Sequence, residues 1–200
     1  MKIMCGRTIF KSGASQILKR ILPVTLALLA GSALYGQRIS VATNLLGYAN
    51  FGTINGEIGL GVSKHFSLYL QGKYNPFTYK ENSADQFQNR QAALALGCRY
   101  WLWHTWSGWF LMGQAGYTNY NRGGLLNDET YEGNAYGITL GAGYALMLHK
   151  RLNIDFGAGI MGGFTNYKKY SCPKCGKLEE KGKRIFVAPN NLLVQLSYMF

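Results

Sequence analysis

Charge is scarce in this sequence. Asp, Glu, Lys and Arg make up 15% of its 200 residues, against roughly 25% in ordinary soluble domains. A surface covered entirely by water is therefore not the expectation. A long apolar helix is also missing. The apolar stretch Ile21 to Ala30 falls well short of the ~20 residues that span a bilayer. Cysteine is limited to four positions, and Cys172 and Cys175 in "SCPKCGK" have no second CxxC pair. A four-cysteine zinc ribbon is thereby excluded. What the sequence has in quantity is Gly (26), Tyr (14) and Phe (10). In a chain long enough for one domain with a real core, that mixture points to β-structure.

The first segment reads as an export signal. Lys2, Arg7, Lys11, Lys19 and Arg20 precede the apolar run, and the small residues of "GSALYGQ" follow it. That order of basic, apolar and small residues is a secretory signal peptide. It is expected to cover residues 1–36, cut before Gln37; a cut after Ala33 and an uncleaved anchor helix are the alternatives. Cys5 would leave with it. Losing those five cations takes the formal charge from +12 to +7. Seven Lys/Arg between Lys168 and Arg184, set against Glu179 and Glu180, carry most of the remainder. Nucleic acid is not an expected partner of an exported chain. Anionic headgroups or surface glycans suit a basic loop, and so does plain solvation.

Beyond residue 37 the chain alternates with period two. In "FSLYLQGKYN", Phe66, Leu68, Leu70 and Tyr74 share one face, and Ser67, Tyr69, Gln71, Lys73 and Asn75 the other. Strand spacing sorts these sets; helical spacing scatters them. Eight strands are expected: Ile39–Leu46, Asn55–Ser63, Phe66–Asn75, Asn89–Leu102, Trp109–Asn121, Ala135–Met147, Leu152–Phe164 and Asn191–Phe200. Short turns at Lys64–His65, "HTWSG" and "HKR" alternate with longer links near 47–54, 76–88, 122–134 and 168–190. Short turns at one end and long loops at the other, with nine-to-eleven-residue strands between, fit a transmembrane β-barrel. The fold class expected over residues 37–200 is all-β: an eight-stranded antiparallel up-and-down outer-membrane barrel of OmpA-like size.

The faces assign themselves by volume. Eight strands enclose little room, so the Gly, Ser, Thr and Gln face suits the interior. The apolar face then meets lipid. Trp101, Trp103, Trp106 and Trp109 cluster at one short turn as an aromatic girdle, and Tyr74, Phe77, Tyr117, Tyr136, Phe164 and Tyr167 supply a second. A β-sandwich with ordinary core aromatics is the competing assignment. Inside, the alternation places Glu57, Lys73, Arg99 and Asp155. Matching faces across the second hairpin sets Glu57 opposite Lys73. Two charges of each sign in a narrow interior would pair and block a large pore. In the last strand Leu192, Val194, Leu196, Tyr198 and Phe200 face outward, with Gln195 and Ser197 inward, and pairing with the first strand would leave no open edge. Leu196, Tyr198 and Phe200 at the chain end resemble the signal by which Gram-negative outer-membrane barrels engage their assembly machinery.

The stretches "VATNLLGYAN", "GEIGLGVSKHFSLYLQGKYNPF", "CPKCG" and the aromatic end resemble an uncharacterised family of outer-membrane barrels from Bacteroidota, over roughly Ile39 to Phe200. The resemblance implies a barrel fold and an outer-membrane address in a Gram-negative bacterium, with no catalytic residues to transfer. Genes for such proteins often neighbour those of fimbrial subunits and OmpA-like proteins. A role in surface-fibre assembly, with surface or fimbrial proteins as partners, is what that association implies.

No motif here demands catalysis or a cofactor. Cys172 and Cys175 fit a local disulfide or free thiols, with metal binding and redox chemistry as weaker alternatives; Cys98 belongs to a different strand. His65, His104 and His149 lie beside the short turns, away from the outer leaflet where lipid-modifying chemistry would occur. Asp128, Glu129 and Glu132 share a loop without His or Cys. The glycines of "GITLGAGY" suit interior packing, since no Lys-Ser/Thr follows to make a phosphate loop. The expectation is a non-enzymatic structural or surface-interaction protein. A narrow channel or small-solute binder is the alternative, and a lipid-modifying enzyme the third.

Overall fold

The computed structural model describes residues 38–79, 87–123, 129–171 and 177–200. The signal-peptide segment, Asp128, and both Cys172 and Cys175 lie outside the described residues. The chain runs β1 (Ile39–Asn44), α1 (Leu45–Ala49), β2 (Ile54–Gly61), β3 (Phe66–Asn75), β4 (Thr78–Tyr79), β5 (Phe87–Trp101), β6 (Gly108–Gly123), β7 (Thr130–His149), β8 (Leu152–Tyr170) and β9 (Leu178–Met199). All pairings are antiparallel, in the order β3-β2-β1-β9-β8-β7-β6-β5-β4. The fold is thus an all-β, up-and-down sheet. β3 also pairs with β5, from Phe66 opposite Tyr100 to Asn75 opposite Gln91. That contact brings the sheet round on itself, so it nearly closes into a ring. β9 lies against β1, with Tyr198 opposite Val41 and Leu196 opposite Thr43, the neighbour expected of the last strand.

Nine strands stand where eight were expected, because the two-residue β4 forms inside the 76–88 link and pairs Thr78 with Gln88. The larger difference is length. β7, β8 and β9 have 20, 19 and 22 residues, whereas β1 has six. The stretch 168–190, expected to be a basic loop, is largely paired strand: Lys168 opposes Lys181 and Thr165 opposes Arg184. Alternation weakens where both faces are wet, so polar strand beyond the apolar zone reads as loop. β1 ends early because Asn44 caps α1, its side chain accepting from the Leu46 N–H at 3.1 Å. The same side chain donates from Nδ2 to the Leu192 carbonyl at 2.8 Å. The ring therefore has a tall wall on one side, built from β6 to β9, and a low rim at β1 to β3.

Burial follows the alternation with the apolar set outside. Leu94, Leu96, Ile138, Leu140 and Ile160 are exposed on the outer face, while Glu57, Gln71, Arg99, Thr139 and Gln195 are buried within. β9 breaks register with β8 at two places, opposite Lys169–Tyr170 and opposite Gly157–Gly159, and the latter bears on the interior. Asn190 pairs with Gly159 and Leu193 with Gly157, so β9 carries an extra residue there, and Asn191 adopts φ 57°. This bulge turns Asn190 and Asn191 inward in succession.

The top of the tall wall is tied by charge. Lys169 Nζ meets Glu129 at 2.7 Å and Glu179 at 3.3 Å, and Tyr131 donates to Glu129 at 2.9 Å. The hydrogen bond from Lys169, helped by Tyr131, holds the Glu129 carboxyl below its ordinary range. A carboxyl lowered by folding supports the structure at every pH above its unfolded value of about 4.3, and that support is lost as pH falls through the lowered value. Amide exchange at Tyr131 and Lys169, corrected for intrinsic rates, is expected to be flat from pH 7 to about 5 and to accelerate below about pH 4. Glu129→Gln should remove that acid dependence. An acid limb that survives in the variant would assign it elsewhere.

Candidate functional site: the ring interior

The interior is layered from the short-turn end upward. The lowest layer is apolar: Trp101, Trp106, Phe110, Met112, Leu193 and Met199 form one buried cluster with Ala145. Trp101 lies 4.9 Å from the Phe110 ring and 5.6 Å from that of Trp106, and its indole donates to Ser67 Oγ at 2.9 Å. Trp106 enters from the turn between β5 and β6, where it takes φ 72° and Gly108 φ 73°. That doubled-back path swings the indole under the ring. Glycine makes the room for it: a Cβ on Gly59 would stand 2.8 Å from the Trp106 ring.

This layer corrects the expected four-tryptophan girdle. Trp103 and Trp109 are indeed exposed, but Trp101 and Trp106 are buried. Parity alone puts Trp101 on the same face as Arg99. For Trp106 no periodicity applies, because its direction is set by backbone in the turn.

Above the tryptophans of this apolar plug and beside its upper part, with Arg99 opposite Met112, sits an ion-pair layer. Arg99 Nη2 lies 2.8 Å from Glu57 Oε1, with both side chains almost fully buried. Gln195 Nε2 donates to Glu57 Oε1 at 2.9 Å. The guanidinium is also stacked 4.6 Å from the Tyr69 ring and 5.2 Å from the Phe110 ring, a geometry in which ring quadrupoles add to the pairing. Asp155 accepts from Ser197 Oγ at 2.7 Å on the same level. Of the four charges expected inside, the structure thus joins Glu57 to Arg99 and places Asp155 near them.

Lys73 is not the partner of Glu57. The register pairs Glu57 with Gln71 and Asn55 with Lys73, two residues from the expected alignment. The turn is the reason: Val62 and Ser63 both donate to the Phe66 carbonyl, so the last strand pair is Gly61 with Ser67. The shift preserves faces and moves the partner. Lys73 Nζ instead donates to Asn191 Oδ1 at 3.4 Å.

A belt of hydrogen bonds closes the layer from above. Tyr69 Oη and Asn191 Nδ2 both donate to Gln114 Oε1, at 3.0 and 3.2 Å. With Lys73 on Asn191, the belt joins β3, β6 and β9 across the ring. Over it opens a polar cleft of about 450 Å³, reaching from Gln71 and Gln114 up to Arg122. Sequence reading missed Tyr69, Gln114 and Asn191 as a unit. Their inward parity was legible; their convergence from three strands was not.

Other expected features fall elsewhere. Cys98 is exposed on the outer face. His65 lies at a short turn with Nδ1 3.0 Å from the Trp101 carbonyl. Among the described residues no group of three His, Cys, Asp or Glu is placed to hold a metal.

A nearly closed antiparallel sheet with an apolar exterior and a layered, charge-paired interior defines the class of protein. The chain belongs to the family described as "Protein of unknown function (DUF3575)", whose model matches residues 22–200. No curated protein and no solved structure matches it.

Proposed function

We propose that this chain is a small outer-membrane β-barrel of a Gram-negative bacterium, with a filled interior and a structural or surface-interaction role accessory to envelope or surface-fibre assembly. The observation that carries this reading is the outer face. Across the sheet, Leu94, Tyr117, Tyr136, Phe164 and Ile185 stand opposite one another in a single row. Two residues higher, the row reads Ala92, Asn119, Asn134, Asn166 and Lys183. An apolar surface that gives way to polar side chains along one register row on five strands fits a bilayer boundary.

Its height agrees. From Leu146 to Tyr136 is about 33 Å along the strand, or ~25 Å after a tilt of about 40°, the height of the apolar band in such barrels. Near the lower edge Trp109 packs on Tyr144 at 5.2 Å and Tyr198 on Phe200 at 4.9 Å, as interfacial aromatics do. In this reading residues 1–36 are the export signal and lipid surrounds the ring. Leu196, Tyr198 and Phe200 engage the barrel-assembly machinery, and the tall wall of β6 to β9 presents itself to surface or fimbrial proteins. The apolar plug and the Glu57–Arg99 layer argue against an open pore.

Two measurements on the full chain test this. Cell fractionation should recover the protein with the outer membrane, released by detergent and not by high salt. Purified protein in planar bilayers should give no stable, high-conductance steps. Recovery as a detergent-free soluble species would sink the membrane reading, and sustained large channels would sink the filled interior.

A further inference from the structure

The cleft above the hydrogen-bond belt has an unusual charge inventory. Among the described residues its lining includes two cations, Lys73 and Arg122, and no carboxylate. The remaining polar lining is mostly amide, with Gln71, Gln91, Asn55 and Asn190 among it. Several nearby acids are engaged elsewhere, while Glu132, opposite Asn121 on the neighbouring strand, does not line the cleft. Below, Glu57 holds Arg99 and Gln195. Above, Glu129 and Glu179 hold Lys169, and Glu180 accepts from Tyr167.

Both cations keep donors in hand. Lys73 reaches the neutral Asn191 Oδ1 at 3.4 Å, and Arg122 Nη2 donates to the neutral Gln91 Oε1 at 2.6 Å. An ammonium carries three N–H donors and a guanidinium five. A cation drawn partly out of water against neutral partners leaves a desolvation cost that a counter-anion would offset. The cleft's volume lies in the range of small-molecule sites, and the Tyr69–Gln114–Asn191 hydrogen bonds lie beneath it.

We infer that this cleft binds a small polyhydroxylated anion, its carboxylate or phosphate held between Lys73 and Arg122 and its hydroxyls by the surrounding amides. Cation donors fit the anionic group, and amides, which both donate and accept, fit sugar hydroxyls. The inference is independent of what meets the outer face.

Calorimetric titration of the purified full chain tests it, with D-glucuronate and glucose 6-phosphate as probes and glucose as the neutral control. At least one acid is expected to bind, at least tenfold more tightly than glucose and more weakly at high salt. Whichever acid binds more tightly identifies carboxylate or phosphate as the preferred group, and either result supports the site. Arg122→Gln should weaken binding about tenfold or more, the loss of one charge-assisted contact. Thr118→Glu, which sets a carboxylate in the lining, should abolish it; circular dichroism checks that both variants stay folded. The inference is overturned if neither acid binds, if glucose binds equally well, or if the two folded variants bind like the parent.

Discussion

Glu57→Ala is expected to lower stability by about 3–5 kcal/mol, because it strands a buried guanidinium. Arg99 is almost wholly buried and meets Glu57 at 2.8 Å, and the aromatic rings on either side of it do not replace a carboxylate. The size of the loss separates this pair from weaker alternatives. A surface ion pair would cost about 0–1 kcal/mol, and one neutral hydrogen bond about 0.5–1.5. The double variant Glu57→Gln with Arg99→Met should recover much of the loss, since removing both charges also removes their desolvation. Urea unfolding followed by tryptophan fluorescence reads all three proteins, with Trp101 in the layer just below. A loss under about 1 kcal/mol for Glu57→Ala would mean that water reaches Arg99.

Leu140→Arg is the second large effect. Leu140 is 67% exposed on the outer face. If that face met water, replacing an exposed leucine by arginine would change stability by no more than about 0.5 kcal/mol. If it meets hydrocarbon near the midplane, the same change costs about 2–4 kcal/mol. Ile185, 71% exposed, stands in the uppermost apolar row, and Ile185→Arg should cost only about 0–1 kcal/mol near the interface. Reversible folding into lipid vesicles measures both. Equal, small effects at the two positions would remove the membrane reading, whereas a depth-dependent pair of values is what it requires.

Why the reading of faces succeeded is plain from β3. Phe66–Asn75 occupies the same residues in sequence pattern and structure, since one wet and one buried face leave a clean period of two. The failures have equally physical origins. Register across the β2–β3 hairpin depends on how many residues the turn consumes, and alternation leaves two-residue shifts across "VSKH" open. The extension of β8 and β9 to Tyr170 and Leu178 went unread because no apolar face marks it. The bulge at Asn190–Asn191 inverts parity within "APNN", so counting backward from Val194 assigns Asn190 to the wrong face. Trp106 depends on positive φ in a turn, where side-chain direction has no period at all.

The amino-acid order by itself determined that this chain forms antiparallel strands, which side chains share a face, and that Glu57, Arg99 and Asp155 lie within. Those properties follow from neighbours along the chain and from the two-residue repeat of extended backbone. Only the tertiary structure decided that Glu57 meets Arg99, that Trp101 and Trp106 close the lower end, and that Lys73 and Arg122 face a common cleft with no acid among its described lining residues. Each of these joins residues from different strands, and their distances are set by turn length, bulge and ring closure rather than by sequence separation.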